Sequence, residues 1–508
     1  MYIDTTISRK RLANNGIAIL ALLALVLAGC GGAEDKSSVN PAATTANINS
    51  PAQIAQESAD DYNTNENGLI TGNTLKRWKD DWLNERPAGI TGELIILQVE
   101  AGAASTMYIK PDGQHVFTHL VDSSEWVQTR SNGVGTTTSM VPDGPTMDAF
   151  LTKYGIDPSK DMIVCALGTG GNGQAMRQGR CWYMLRYWGV AKEHLALLNG
   201  DNAYQVASGQ MVALDDFADT ASSSAKSRHG SVRDLPQDNT ALQATLQDML
   251  NILPSSDSNV LNDGVFIWDA RGMNQYSAGE MVELGQDTDP DAVGTQACAT
   301  AYCTPTNTAN YMGNFQNKGS RQGHPWGALQ LNYTNMLDAA NGYSYKPKAE
   351  LAAYLNGEVD GNGLGFVDAT YQLVGAGQAY QAGDTVYTYC ETTFRAMITG
   401  VTSAVILGKP TRFYDGAMTE WNSMSHIVAW DGQPILPVDS PWRTDVVSFY
   451  KPANLSSLIE PRQIDEAYAT TANAIVYADR RYKLFGSSSS DDSGGGGVAP
   501  PPNPCGGS

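Results

Sequence analysis

One pattern, written twice along the chain, limits what it can fold into. In the first half "TLKRWKDDWL" has helical spacing and "ELIILQV" reads as a buried strand. There follow "MDAFLTKYGIDPSKDMIVCALG" (helix, turn, strand), the apolar-faced helix "GRCWYMLRYWG" and the short strand "HLALLNG". In the second half the order returns. "LQATLQDMLNIL" is helical, "GVFIWDAR" is a buried strand ending on charged residues, and "KAELAAYLNG" is a helix. "DTVYTYC" is a strand, "RAMITGVTSAVILG" a helix, and "TRFYDGAMTEW" a strand and turn. Short, continuously apolar strands are buried on both faces, and helices between them supply the crossovers that parallel pairing needs. The expected class is therefore α/β, with two domains, each a mainly parallel sheet flanked by helices. The repeat is a duplication of a whole domain rather than a solenoid period.

The 508 residues suffice for two or three domains. Residues 1–29 read as a signal peptide, 30–72 as a flexible tether and 73–220 as the first domain. A polar linker is expected at 221–240, and the second domain at 241–485 with an insertion at about 278–322. The Gly/Ser/Pro-rich tail at 486–508 has the composition of a segment without a packed core. The hydrophobic fraction of 42% fits a globular chain with polar ends. A net charge of −20 repels nucleic acid, so no nucleic-acid partner is expected.

At the N-terminus Arg9, Lys10 and Arg11 precede the apolar run "GIAILALLALVLAG", too short for a confident spanning helix. The run ends in "LAGC", which resembles a bacterial lipobox with Cys30 as the lipid-bearing residue. The resemblance implies an exported lipoprotein held on a membrane by its acyl chains. Gly31 rather than Asp after that cysteine favours the outer membrane.

Export places the seven cysteines where disulfides persist. Cys298 and Cys303, in "CATAYC", are the easiest to bridge, and Cys165 with Cys181 is a second candidate pair. Connectivity stays open at this point, as do Cys390 and Cys505. "NTNENG" and "EVDGNGLGFVD" have a faint likeness to calcium loops, but both lack the closing Glu and read better as turns. No metal or cofactor is expected.

"TVYTYC" sets Cys390 at the C-terminal end of a strand, the edge where open α/β sheets bind ligands. The helix starting near Arg395 aims its free N–H groups at the loop, a setting that lowers a thiol pKa. The segment Cys390-Glu391-Thr392-Thr393-Phe394-Arg395 resembles the Cys-x4-Arg active loop of rhodaneses, the sulfurtransferases. "FIWDARGMNQY", "GHPWGALQLNY" and "FYDGAMTEW" resemble that family's other motifs, in the family's order. The first half resembles the inactive first domain of tandem members, with Ala166 where Cys390 falls in the second. Cys165, one residue earlier, is read as core or disulfide.

The resemblance implies a sulfur carried on Cys390 as a persulfide, with Arg395 fixing the loop. It also implies substrate contacts from Glu391, Thr392, Thr393, Phe394 and Gln275, and support from Asp269, Arg271 and His324. Cys-x5-Arg phosphatase loops are one residue longer, which favours sulfur over phosphate. Glu391, Thr393 and Phe394 depart from familiar loops, and Gln275 stands where tandem thiosulfate enzymes carry Arg. A small sulfur-containing substrate is the expected partner. Two alternatives are a non-catalytic accessory lipoprotein of an envelope redox complex, and a selenium-oxyanion reductase pairing Cys390 with Cys298 and Cys303.

Overall fold

The computed structural model describes residues 47–100, 106–132, 136–213, 230–276, 324–424, 427–428, 462–463 and 473–486. The signal segment with Cys30, the insertion with Cys298 and Cys303, and the tail with Cys505 lie outside them. Among the described residues, no helix is long and apolar enough to cross a membrane.

Two five-stranded sheets organise the chain. The first is built from β1 (Gly68–Ile70), β2 (Leu94–Val99), β3 (Val116–Val121), β4 (Met162–Ala166) and β5 (Leu195–Leu198). The second uses β6 (Gln243–Ala244), β7 (Val265–Asp269), β8 (Leu329–Gln330), β9 (Thr385–Tyr389) and β10 (Thr411–Tyr414). The orders are β1-β5-β4-β2-β3 and β6-β10-β9-β7-β8, the same arrangement twice. Every neighbouring pair is parallel, as the unbroken apolar strands predict.

Alternation along the strands divides the core. Ile95, Leu97 and Val99 of β2 join a large cluster that also takes in Phe266, Trp268 and Phe413 of the second sheet. Leu94 and Ile96 face the opposite side, against Leu75, Trp78 and Trp82. Within the shared cluster, helices α1 (Asn172–Tyr187) and α2 (Phe394–Val401) pack on each other. A Cβ at Gly179 would lie 2.6 Å from Cβ of Met397, so glycine is what lets the two helices touch. Beyond Val401, α2 continues as a π-helical turn over Thr402–Ile406.

The expected domain edges need three corrections. Residues 47–72 are no tether: β1 is an edge strand, Ile54 is buried, and Gln56 and Ser58 donate their N–H groups to Ala404 and Ile406 carbonyls at 2.9 and 3.2 Å. Their few apolar residues, scattered among polar ones, carry no period that a sequence reading could detect. Part of the linker is also packed, since Gln237–Asp238 pairs in parallel with Asn47–Ile48 and Val232 is buried. Finally, helix α3 (Ala474–Phe485) ends the second half in sequence but binds the first. Asp479 accepts from Arg130 at 2.6 and 2.8 Å and from Tyr187 at 2.7 Å. The turn reading of "EVDGNGLGFVD" agrees with Asp360, whose carboxylate accepts from the N–H groups of Asn362 and Leu364 and from the Tyr354 hydroxyl.

Candidate active site

Cys390 sits one residue past the end of β9 and is fully buried against Ala270 and Ala396, with Tyr333 alongside. The loop then turns through Glu391, Thr392 and Thr393, each no more than 3% exposed, into α2 at Phe394. Thr393 occupies the helix N-cap in the left-handed region, φ 66°, where a β-branched residue is unusual. Its hydroxyl does not cap the helix. It donates to the Tyr414 and Asp415 carbonyls at 3.0 and 2.8 Å. The loop carbonyls are fixed by the same segment: Met418 N–H donates to Cys390 O at 3.1 Å, and the Thr419 N–H and hydroxyl both donate to Glu391 O.

A polar wall, built around the end of β7, faces the loop. Asp269 and Arg271 are both fully buried and form a tight pair, with Arg271 Nε 2.9 Å and Nη2 2.5 Å from the carboxylate. Burial works against the Arg271 charge, but Asp269 overrides it and raises the guanidinium pKa further. Tyr389 donates its hydroxyl to Asp269 at 2.8 Å; burial and then the Asp269 charge hold that phenol well above its usual pKa. On the loop side, Glu391 Oε2 lies 3.8 Å from Arg271 Nη1 and 3.5 Å from Gln275 Nε2. Gln275 Oε1 accepts from Arg395 Nη1 at 2.5 Å. Gln275 thus bridges the loop's acid and its arginine, and Asp269, Arg271, Gln275, Glu391 and Arg395 are brought together at the loop that carries Cys390.

His324 is placed to brace rather than react. Its Nδ1 lies 2.7 Å from Tyr276 O and its Nε2 3.1 Å from Asp257, and the ring stacks on Tyr276 at 3.7 Å. Burial disfavours the imidazolium, yet Asp257 outweighs it and the pKa is raised. Both ring nitrogens are engaged away from the cysteine loop. Among the described residues, no group of His, Cys, Asp and Glu is placed to hold a metal.

The first half repeats the strand-loop-helix without the chemistry. Cys165 pairs with Leu197 across β4 and β5, as Thr388 pairs with Phe413 across β9 and β10. Asn199 follows β5 as Asp415 follows β10, so Cys165 corresponds to Thr388, Ala166 to Tyr389 and Leu167 to Cys390. The expectation that Ala166 matches Cys390 is therefore off by one residue. Local motif similarity does not fix register, whereas ladder pairing does. Cys165 points into the core and is bonded to Cys181 on α1, one of the pairs the sequence left open.

Two residues of the site drew no attention in the sequence. Asp415 lies inside the quoted "FYDGAMTEW", and Arg180 inside the helix "GRCWYMLRYWG". Full burial of an arginine on an apolar helix signals a partner, but burial is not visible before folding.

No family model and no curated protein matches the chain. Among solved structures it is similar to the Tum1 protein from Saccharomyces cerevisiae, with TM-score 0.43 and 13% identity over 70% of this chain and 95% of that one. It is also similar to SseA from Escherichia coli, a 3-mercaptopyruvate sulfotransferase described under the rhodanese fold. There the TM-score is 0.37 and the identity 15%, over 69% of this chain and 98% of that one. EanB in complex with ergothioneine gives TM-score 0.41 and 12% identity, over 70% and 67%. The α/β class itself stands on the two parallel sheets and their repeated order.

Proposed function

We propose that the chain is a rhodanese-like sulfurtransferase that carries sulfane sulfur on Cys390. The observation that supports this best is the position of Cys390: one residue past a central parallel strand, in a tight buried loop leading into a helix N-terminus. In the proposed cycle the Cys390 thiolate attacks the terminal sulfur of a donor. An S–S bond forms on Cys390, the donor's bond to that sulfur breaks, and the leaving group departs with the electron pair. A nucleophilic acceptor, a thiolate or cyanide, then attacks the outer sulfur and releases the Cys390 thiolate. Helix N–H groups stabilise the anionic sulfur in both states, and Arg395, tied to Gln275, fixes the loop.

Glu391 bears on the donor. Its buried carboxylate adds negative charge to the loop, which disfavours a dianion such as thiosulfate relative to a neutral or zwitterionic donor. The disulfide between Cys165 and Cys181 fits export to an oxidising compartment, while lipid anchoring through Cys30 is proposed from the N-terminal segment alone.

Intact-mass measurement tests the reading. The protein is incubated with thiosulfate, mercaptopyruvate or polysulfide, and wild type is expected to gain sulfur atoms that Cys390→Ser does not. No gain with any donor, or equal gain on Cys390→Ser, overturns it. The complete burial of Cys390 favours a second reading, a non-catalytic binding scaffold in an envelope redox assembly. Capture of the same envelope partners by wild type and Cys390→Ala, with no sulfur uptake by either, would support that alternative.

A further inference from the structure

We propose that Arg180, on the half without the reactive cysteine, is a positioning residue for the Cys390 loop, acting through Asp415 and Thr393. The proposal rests on the sulfurtransferase reading for its consequence, and on geometry alone for the coupling.

Arg180 and Asp415 are both completely buried. Arg180 Nη1 bonds Asp415 Oδ1, and Nη2 reaches Oδ2 at 3.2 Å. The same Nη2 donates to Ser139 O at 2.7 Å, and Val141 N–H donates to Asp415 Oδ2 at 2.6 Å. Asp415 is thus gripped by two separate elements of the first half. Its main-chain carbonyl, in turn, accepts the Thr393 hydroxyl at 2.8 Å. The guanidinium carbon also lies 6.0 Å from the ring of Phe394, the first residue of α2. Segment 414–419 contacts Cys390, Glu391 and Thr393, so where it sits determines how the loop is curled.

Two physical points make this more than packing. A buried ion pair is a poor source of stability, because desolvation offsets most of its attraction, and apolar residues of like size hold a core as well. What bidentate pairing adds is a fixed orientation. The second point is the backbone of Thr393. A left-handed β-branched residue is strained, and persists only where its surroundings hold it. The two carbonyls that accept its hydroxyl belong to Tyr414 and Asp415, the residue that Arg180 anchors. Losing the anchor frees Thr393 to relax, which turns the helix N–H groups away from the sulfur.

The test uses the full chain with Arg180→Gln, Arg180→Lys and Asp415→Asn, each checked for a cooperative unfolding transition. In folded Arg180→Gln, deuterium uptake in the peptide covering 390–396 is expected to rise about tenfold in rate, with β2 and β4 unchanged. The pH midpoint for sulfur loading of Cys390 is expected to rise, and kcat to fall about tenfold with KM little changed. Arg180→Lys should reverse part of all three changes, because it restores the charge but not the bidentate grip. Should Arg180→Gln fail to fold, Asp415→Asn carries the same expectations, since it keeps shape and main-chain acceptor. Wild-type exchange over 390–396 in a folded variant overturns the proposal. If wild type loads no sulfur, the catalytic reading fails, while the exchange measurement still decides the coupling.

Discussion

The two sheets share one strand order, yet the junction between strand and helix is stapled differently in each. In the first half β4 is tied to α1 by the Cys165–Cys181 disulfide. In the second, at the matching strand position, Thr388 and Thr399 form a hydroxyl pair at 2.6 Å. Both staples lie in the core and join a strand to the helix that follows it. The difference lies in what stands nearby. Thr388 is two residues from Cys390, and a thiolate attacks disulfide sulfur to exchange with it. A hydroxyl pair holds the same two elements and offers no sulfur to attack. Leu167 takes the place of Cys390 in the first half, so a disulfide there meets no such nucleophile. The half that lacks the strand-end cysteine can be built for rigidity, and in the proposed coupling Arg180 lends that rigidity to the other.

Three measurements would break or sharpen this contrast. The largest effect is expected from Cys165→Ala with Cys181→Ala. The bridge spans 16 residues, so its loss should cost about 3 kcal/mol by chain entropy. Urea unfolding of the pair reads this directly, and a cost under about 1 kcal/mol would mean the packing of α1 needs no staple. Thr388→Val should cost about 1 kcal/mol, the usual worth of one internal hydrogen bond. The cost stays small because Thr399 Oγ1 keeps its bond to the Ala396 carbonyl at 3.1 Å. A cost equal to that of the disulfide would erase the distinction between the staples. The smallest effect concerns the brace at His324. Its folded pKa is raised by Asp257, so its stabilisation is complete below about pH 6.5 and is lost as pH rises through the folded value. Melting temperature should therefore carry a component that declines over that window in wild type and is missing in His324→Gln. An unchanged profile in the variant would remove His324 as its source.

Much of this was legible in the sequence because it is local. Continuous apolar strands, helical spacing and the Cys-x4-Arg loop depend on neighbours along the chain, and they located both sheets and Cys390. Cys165 and Cys181 stand as one candidate pair in the sequence, and only the structure joins them. Misplacing Ala166 by one position shows where local reasoning stops, since hydrogen-bonded pairing across strands sets the register.

The sequence by itself determined the fold class, the doubling and the identity of the strand-end cysteine, since periodicity and side-chain chemistry are properties of short segments. Only the tertiary structure decided that residues 47–72 cross the molecule, that α3 returns to the first half, and that Gln275 links Glu391 to Arg395. It alone decided that Arg180 reaches Asp415 across 235 residues. Such a contact is selected by burial, where an unpaired charge is too costly to leave, and burial exists only once the two halves have closed on each other.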